Sequence, residues 1–156
     1  MKLTAKTDLD APAGFVYATL ADHAAWERDA AQRGIDVERP ADMPLTGLGA
    51  GWRVRVPFRG QPVAILLRLE QQVPPERLGV ALQSQAIEGN FVLNVIELSQ
   101  RRTRLQLVME VKARTIAARL LLNTLSLARG RVTARVEKRV AQIGAMIQDR
   151  YQRSRS

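Results

Sequence analysis

The apolar residues of this chain change their spacing once, and that switch limits the possible folds more than any other feature. From Trp52 to about Ala113 they recur at every second position, and from about residue 115 onward at every third or fourth. Period two belongs to half-buried strands and a period of about 3.6 to an amphipathic helix. In GWRVRVPFRG, Trp52, Val54, Val56 and Phe58 share one face while Arg53, Arg55 and Arg59 take the other. In RLQLVMEVKAR, Leu105, Leu107, Met109 and Val111 face one way, with Arg104, Gln106, Glu110 and Lys112 mostly opposite. Turn-forming RGQP, VPPE, EGN and QRRT separate such runs. The pattern predicts a strongly bent antiparallel meander of about six strands, with an apolar inner face that a further element must cover.

The C-terminal segment supplies that cover. Val132, Val136, Val140, Ile143 and Ile147 fall in one arc of a helical wheel, and Ala118, Leu121, Leu122 and Leu125 lie in or beside it. This predicts one long helix over about residues 115–152, kinked near Gly130. Arg131, Arg135, Lys138, Arg139 and Arg153 occupy a flank beside the stripe, so basic and apolar surfaces are separate. Ahead of the meander, LTAKTDL alternates as a strand, and Asp10 and Pro12 mark a helix start. The stretch GFVYATLADHAAWERDAAQRG places Phe15, Val16, Leu20 and Trp26 at helical spacing. It predicts two short helices broken around Ala21 and Asp22 and ending at Gly34. IDVER reads as a short strand and PADMPLTGLGAG as a loop.

Composition narrows the function classes. The 156 residues match one domain, and a basic tail begins at about residue 150. Cysteine is absent and histidine occurs once, which leaves neither a disulfide framework nor a thiolate or His-rich zinc site. No D-x-D-x-D-G calcium loop is present, so no metal or cofactor is expected. MKLTAKTDLD has no apolar run of the kind a secretory signal carries. A cytoplasmic protein is expected, with contact to a membrane only from its side. The net charge of +9 is uneven: residues 101–156 hold 14 Lys and Arg against 3 Asp and Glu, whereas the first hundred hold 10 against 12. Such a localised field attracts phosphate-bearing partners. Nucleic acid fits poorly, because stacking needs aromatics among the cations and Tyr151 is the one aromatic after residue 100. An anionic membrane surface remains as a partner for the basic helix.

Three stretches carry a family resemblance. VYATLADHAAW, GLGAGWRVRVPFRG, and PERLGVALQSQAIEGNFVLNVIEL followed by RTRLQLVMEV resemble the corresponding regions of the SRPBCC superfamily, also called START or Bet v 1-like. The resemblance covers essentially the whole chain. It implies an α+β helix-grip fold: a curved antiparallel sheet wrapped around a long C-terminal helix, with two short helices after the first strand. It also implies an internal cavity for a small hydrophobic or lipid-like molecule, and hence a noncatalytic binder or carrier. The alternative is a polyketide cyclase or dehydratase-like enzyme acting on an aromatic or enolisable substrate. The fold by itself licenses a pocket and not a reaction.

Trp52, Val54, Phe58, Phe91, Leu107, Met109, Val136, Val140 and Ile143 are the expected cavity wall, and Gly144 would leave room beside Val140 and Ile147. Ser84, Asn94, Glu97 and Arg129 are polar residues on faces otherwise apolar. Burying such groups unpartnered costs several kcal/mol. Each therefore sits in water at an element's end or meets a partner, a water or a ligand, and Ser84, Asn94 and Arg129 are candidates for ligand contact. His23, Tyr17 and Glu97 are the candidate acids or bases on the enzyme reading. Gly47, Gly49 and Gly51 resemble a dinucleotide loop only superficially, since such a loop must open a helix and GWRVRV follows instead.

Overall fold

The computed structural model describes residues 1–58 and 60–155, with Phe58 described by its backbone alone. Strand β1 (Lys2–Leu9) leads into helices α1 (Ala13–Leu20) and α2 (His23–Gln32). Then follow β2 (Asp36–Glu38), β3 (Gly51–Phe58), β4 (Gln61–Val73), β5 (Arg77–Gln83), β6 (Ile87–Ser99) and β7 (Arg102–Ala113). Helices α3 (Ile116–Leu127) and α4 (Arg129–Ser154) close the described chain. All seven strands form one antiparallel sheet in the order β1-β7-β6-β5-β4-β3-β2. This is the expected helix-grip α+β architecture.

Register turns the alternating pattern into a continuous apolar surface. Leu69 pairs with Val80, Val80 with Phe91, Phe91 with Met109 and Met109 with Leu3, so one row crosses five strands. Because side chains alternate along a strand, every member of that row faces the same concave side. Register shifts at Leu69/Gln71 and Glu97/Ser99 add to the bend.

The two short helices divide where the sequence predicts. The Asp22 carboxylate accepts from the Ala25 N–H at 3.2 Å, capping α2, and Gly34 follows its end at φ 78. The start of α1 differs from expectation: Pro12 itself holds the N-cap position without a side-chain cap. The Asp10 N–H instead meets the Gln148 side chain at 2.7 Å, tying the chain to α4. Gly51 opens strand β3 rather than a helix, which disposes of the dinucleotide loop.

The single C-terminal helix is corrected to two, divided at Ala128 (φ −101, ψ 26) and not at Gly130, which is helical. Thr124 and Ser126 hydroxyls donate to the carbonyls of Leu120 and Leu122, four residues back, at 3.0 and 2.9 Å. Such bonds compete with the helical ladder just ahead of the break. The break lets α3 pack on β7 while α4 runs along β1.

Helix α4 comes close to β1 because Gly144 has no side chain. A Cβ there would stand 2.7 Å from Thr7 Cγ2. The space opened by Gly144 is thus filled by Thr7 and is not part of a cavity. Around this contact lie the fully buried Leu9, Val16, Leu105 and Ile147. Buried Thr103 donates its hydroxyl to the Ala11 carbonyl at 2.7 Å, so its polar group is satisfied inside the core. Replacing Gly144 by Val should separate α4 from β1. Overpacking of this kind costs about 1–3 kcal/mol, and urea denaturation should show the loss as a lower midpoint with unchanged slope.

Candidate functional site

Because α4 packs chiefly along the edge strand β1, the concave middle of the sheet is left without a covering helix. A cavity of about 600 Å³ occupies that space, between the sheet, α2 and the middle of α4. Its size falls within the ~300–1,000 Å³ range of small-molecule sites. Trp52, Val54, Leu67, Val80, Phe91, Leu107 and Met109 form the sheet side, and Val136, Val140 and Ile143 the helix side. Trp26 and Ala30 of α2 close one end. Among the described lining residues, the side chains with polar ends besides the tryptophan indoles are His23, Glu27, Arg135 and Arg139.

Glu27 organises the α2 end. One of its carboxylate oxygens accepts from the Trp52 indole N–H at 2.7 Å and from Arg39 at 2.6 Å. The Arg39 guanidinium lies 4.7 Å from the Trp52 ring centroid and also donates to the Pro44 and Leu45 carbonyls, which fixes the loop before β3. His23, one turn before Glu27 on α2, meets the Trp52 ring edge-on with centroids 4.9 Å apart. Burial, helped by the Arg39 charge, lowers the His23 pKa from its ordinary 6.5, though Glu27 and Asp22 pull the other way. The imidazole is therefore neutral at pH 7 and able to accept a proton or a hydrogen bond.

Burial pushes the Glu27 carboxyl up, but hydrogen bonds from Trp52 and Arg39 outweigh it and leave the pKa below the ordinary 4.5. A carboxylate with a folded pKa below its unfolded one stabilises the fold fully above the unfolded value, and that stability is lost as pH falls through the folded value. The thermal midpoint of Glu27→Gln should accordingly lie below that of the parent at pH 6. The gap should close as pH drops below about 4.5; a gap that persists unchanged at pH 3 would show that the charge of Glu27 is not what matters.

Of the twelve residues expected around a cavity, Trp52, Val54, Phe91, Leu107, Met109, Val136, Val140 and Ile143 line this one. The side chain of Phe58 lies outside the described residues. Three placements are corrected. Ser84 sits in the β5–β6 turn, where its hydroxyl accepts from the N–H groups of Ala86 and Ile87 at 3.2 and 3.1 Å. Asn94 is on the convex face, because Phe91, Leu93 and Val95 take the concave one; it bonds Gln106 at 3.1 Å and Arg77 at 3.2 Å. Arg129, exposed at the start of α4, donates to the Lys2 carbonyl at 2.7 Å.

The three acid–base candidates separate as well. His23 lines the cavity. Glu97 is exposed at the far end of β6, beyond the last inward residue Val95. Tyr17 is buried in α1 outside the cavity wall, and desolvation raises its pKa. Glu27 went unrecognised in the sequence, and Arg135 and Arg139, expected on a basic flank separate from the apolar stripe, instead border the cavity beside it. Glu27 had a usable signal, since it falls one helical turn after His23.

No protein-family model matches the chain, and no curated protein matches it by sequence. Solved structures do match. The aromatase/cyclase Zhui from Streptomyces sp. R1128 superposes with a TM-score of 0.68 at 16% identity, covering 96% of this chain and 94% of that one. Norcoclaurine synthase from Thalictrum flavum, solved with dopamine and hydroxybenzaldehyde, gives 0.67 at 9% identity, covering 96% and 87%. A START superfamily protein from Mycobacterium smegmatis gives 0.52 at 17% identity, covering 88% and 97%. The chain thus has the SRPBCC, START or Bet v 1-like fold, as its three sequence stretches imply.

Proposed function

We propose that this protein binds and carries a small hydrophobic molecule in the cavity between sheet and α4. The observation that carries the reading is the wall itself: a hollow of about 600 Å³ with nearly all its lining apolar. Apolar surface facing such a space gains ~25 cal/mol per Å² when a ligand covers it. Solved structures of the same fold include a START protein and one holding aromatic compounds, which supports the ligand class. Native mass spectrometry of freshly purified protein should find a retained small molecule. Saturation at about 100 times Kd should add about 2.7 kcal/mol of stability, read as a higher thermal midpoint. Val80→Trp, which fills the wall beside Phe91, should remove both effects and leave the circular dichroism spectrum intact; retention of the ligand by that variant would sink the reading. A cyclase-like reading is favoured by one observation, neutral His23 in the cavity within a turn of Glu27. A retained molecule that is returned chemically unchanged after prolonged incubation counts against it.

The carrier reading includes an anionic membrane as the place of exchange. Among the described residues no helix is long and apolar enough to cross a bilayer, so contact would come from the side. The surface best suited is α3 rather than the α4 flank. Ile116, Leu120 and Leu127, on one stripe of α3, are 79%, 63% and 92% exposed. Residues 111–127 hold Lys112, Arg114 and Arg119 without any acid. Each cation near an anionic surface contributes ~1 kcal/mol, and the apolar stripe inserts beside them. The protein should co-sediment with phosphatidylglycerol vesicles and not with phosphatidylcholine alone. The triple variant Ile116→Ser, Leu120→Ser, Leu127→Ser should stay in the supernatant; equal recovery with both lipids would dispose of this surface.

A further inference from the structure

We propose that the ligand is an amphipathic anion, an apolar body bearing one carboxylate, sulfonate or phosphate group, and that Arg135 and Arg139 hold this group at the cavity mouth. The inference rests on the carrier reading and adds the chemical class of the ligand.

Both arginines line the cavity, yet both are solvent-exposed, which places their side chains at its rim and not in its depth. They lie one turn apart on α4 and hence on the same face, each preceding a wall residue, Val136 and Val140. Among the described residues neither arginine is in an ion pair. Arg139 donates only to the Gln142 side chain at 3.4 Å. The acid among the described lining residues, Glu27, already accepts from Trp52 and Arg39 through one oxygen. Two like charges a turn apart repel, and an oxyanion between them reverses that interaction. Guanidinium groups suit the task because each offers paired N–H donors to two oxygens of one anion. The apolar wall behind them excludes an inorganic ion as the whole ligand, since it leaves that surface uncovered.

A matched pair of fluorescent dyes tests the idea. Anilinonaphthalene sulfonate and phenylnaphthylamine share the same apolar body, and only the first bears an anion. The parent protein should bind the sulfonate at least about ten-fold more tightly at low salt. Arg135→Gln/Arg139→Gln should erase that preference while keeping its affinity for the neutral dye, which also reports an intact cavity. Arg101→Gln/Arg150→Gln removes the same charge away from the cavity and should keep the preference. Equal binding of the two dyes by the parent overturns the inference and leaves the carrier reading standing. So does a preference that survives in the rim variant or disappears equally in the remote one. Failure of both dyes to bind, or binding undiminished by Val80→Trp, overturns the carrier reading and this inference with it.

Discussion

Close approach of α4 to the first strand is the contact on which the remainder of the structure depends. Gly144 permits it, Thr7 fills the gap, and Ile147, Leu9 and Leu105 are buried around it. A helix lying over the centre of a curved sheet would consume the concave face. A helix held at the edge strand secures the fold at one side and leaves the middle strands facing empty volume. Stability and cavity are thus divided along the sheet: the core sits where α1, α4, β1 and one end of β7 converge, and the cavity sits over the stretch of β3 to β7 between α2 and the middle of α4.

The few polar groups of the cavity follow from the same division. At the α2 end, half-buried Glu27 satisfies its charge through Arg39 and the Trp52 indole. Without these partners a carboxylate against such a wall would be costly. The indole in turn has its N–H directed away from the apolar space, so that its ring serves as wall. Arg39 binds three elements together at once: the Glu27 carboxylate on α2, the Trp52 ring on β3, and carbonyls of the intervening loop. This end is closed by mutual satisfaction. At the α4 end Arg135 and Arg139 are exposed and, among the described residues, in no ion pair, so they cost the fold little.

Period and polarity made most of this architecture legible in the sequence. Inward positions of β3, β6 and β7 were readable because alternation with period two leaves a single choice of face, and Val136, Val140 and Ile143 were readable for the analogous helical reason. Asn94 failed for an instructive cause. It was judged by its apolar neighbours Val92 and Ile96, yet those residues belong to the convex face, which is itself partly apolar, and only cross-strand register with Gln106 and Arg77 reveals it. Arg129 shares the helical arc of Val132 and Val136, but it stands in the first turn of α4, ahead of the stretch that borders the cavity, where it is exposed and meets the Lys2 carbonyl. The helical phase itself survives the break at Ala128: Ala118 is buried and Leu121, Leu122 and Leu125 are half-buried, as the continuous wheel predicts. Glu27 and Arg39 lie far from Trp52 along the chain, and no local pattern announces a node assembled from α2, a loop and β3. Ile116, Leu120 and Leu127 lie on the side of the helical wheel opposite Ala118, Leu121, Leu122 and Leu125, and their exposure follows from that phase.

Placing charges at a rim instead of in a depth has a definite energetic meaning. An anion drawn wholly into an apolar cavity would lose its hydration, at a cost of several kcal/mol that even good pairing repays only in part. At the mouth, the anion keeps water on one side and gains guanidinium contacts on the other, while the apolar body alone crosses into the hollow. Affinity then comes from covered apolar area, and the arginines contribute orientation, selectivity and salt dependence. A head group that stays hydrated at the mouth avoids that cost on entry, so the apolar body alone sets how much surface is taken from water on binding and returned to it on release. On the proposed carrier reading, Lys112, Arg114 and Arg119 beside the apolar stripe of α3 would meet an anionic membrane while Arg135 and Arg139 on α4 hold the ligand, so membrane contact and ligand retention draw on different cations.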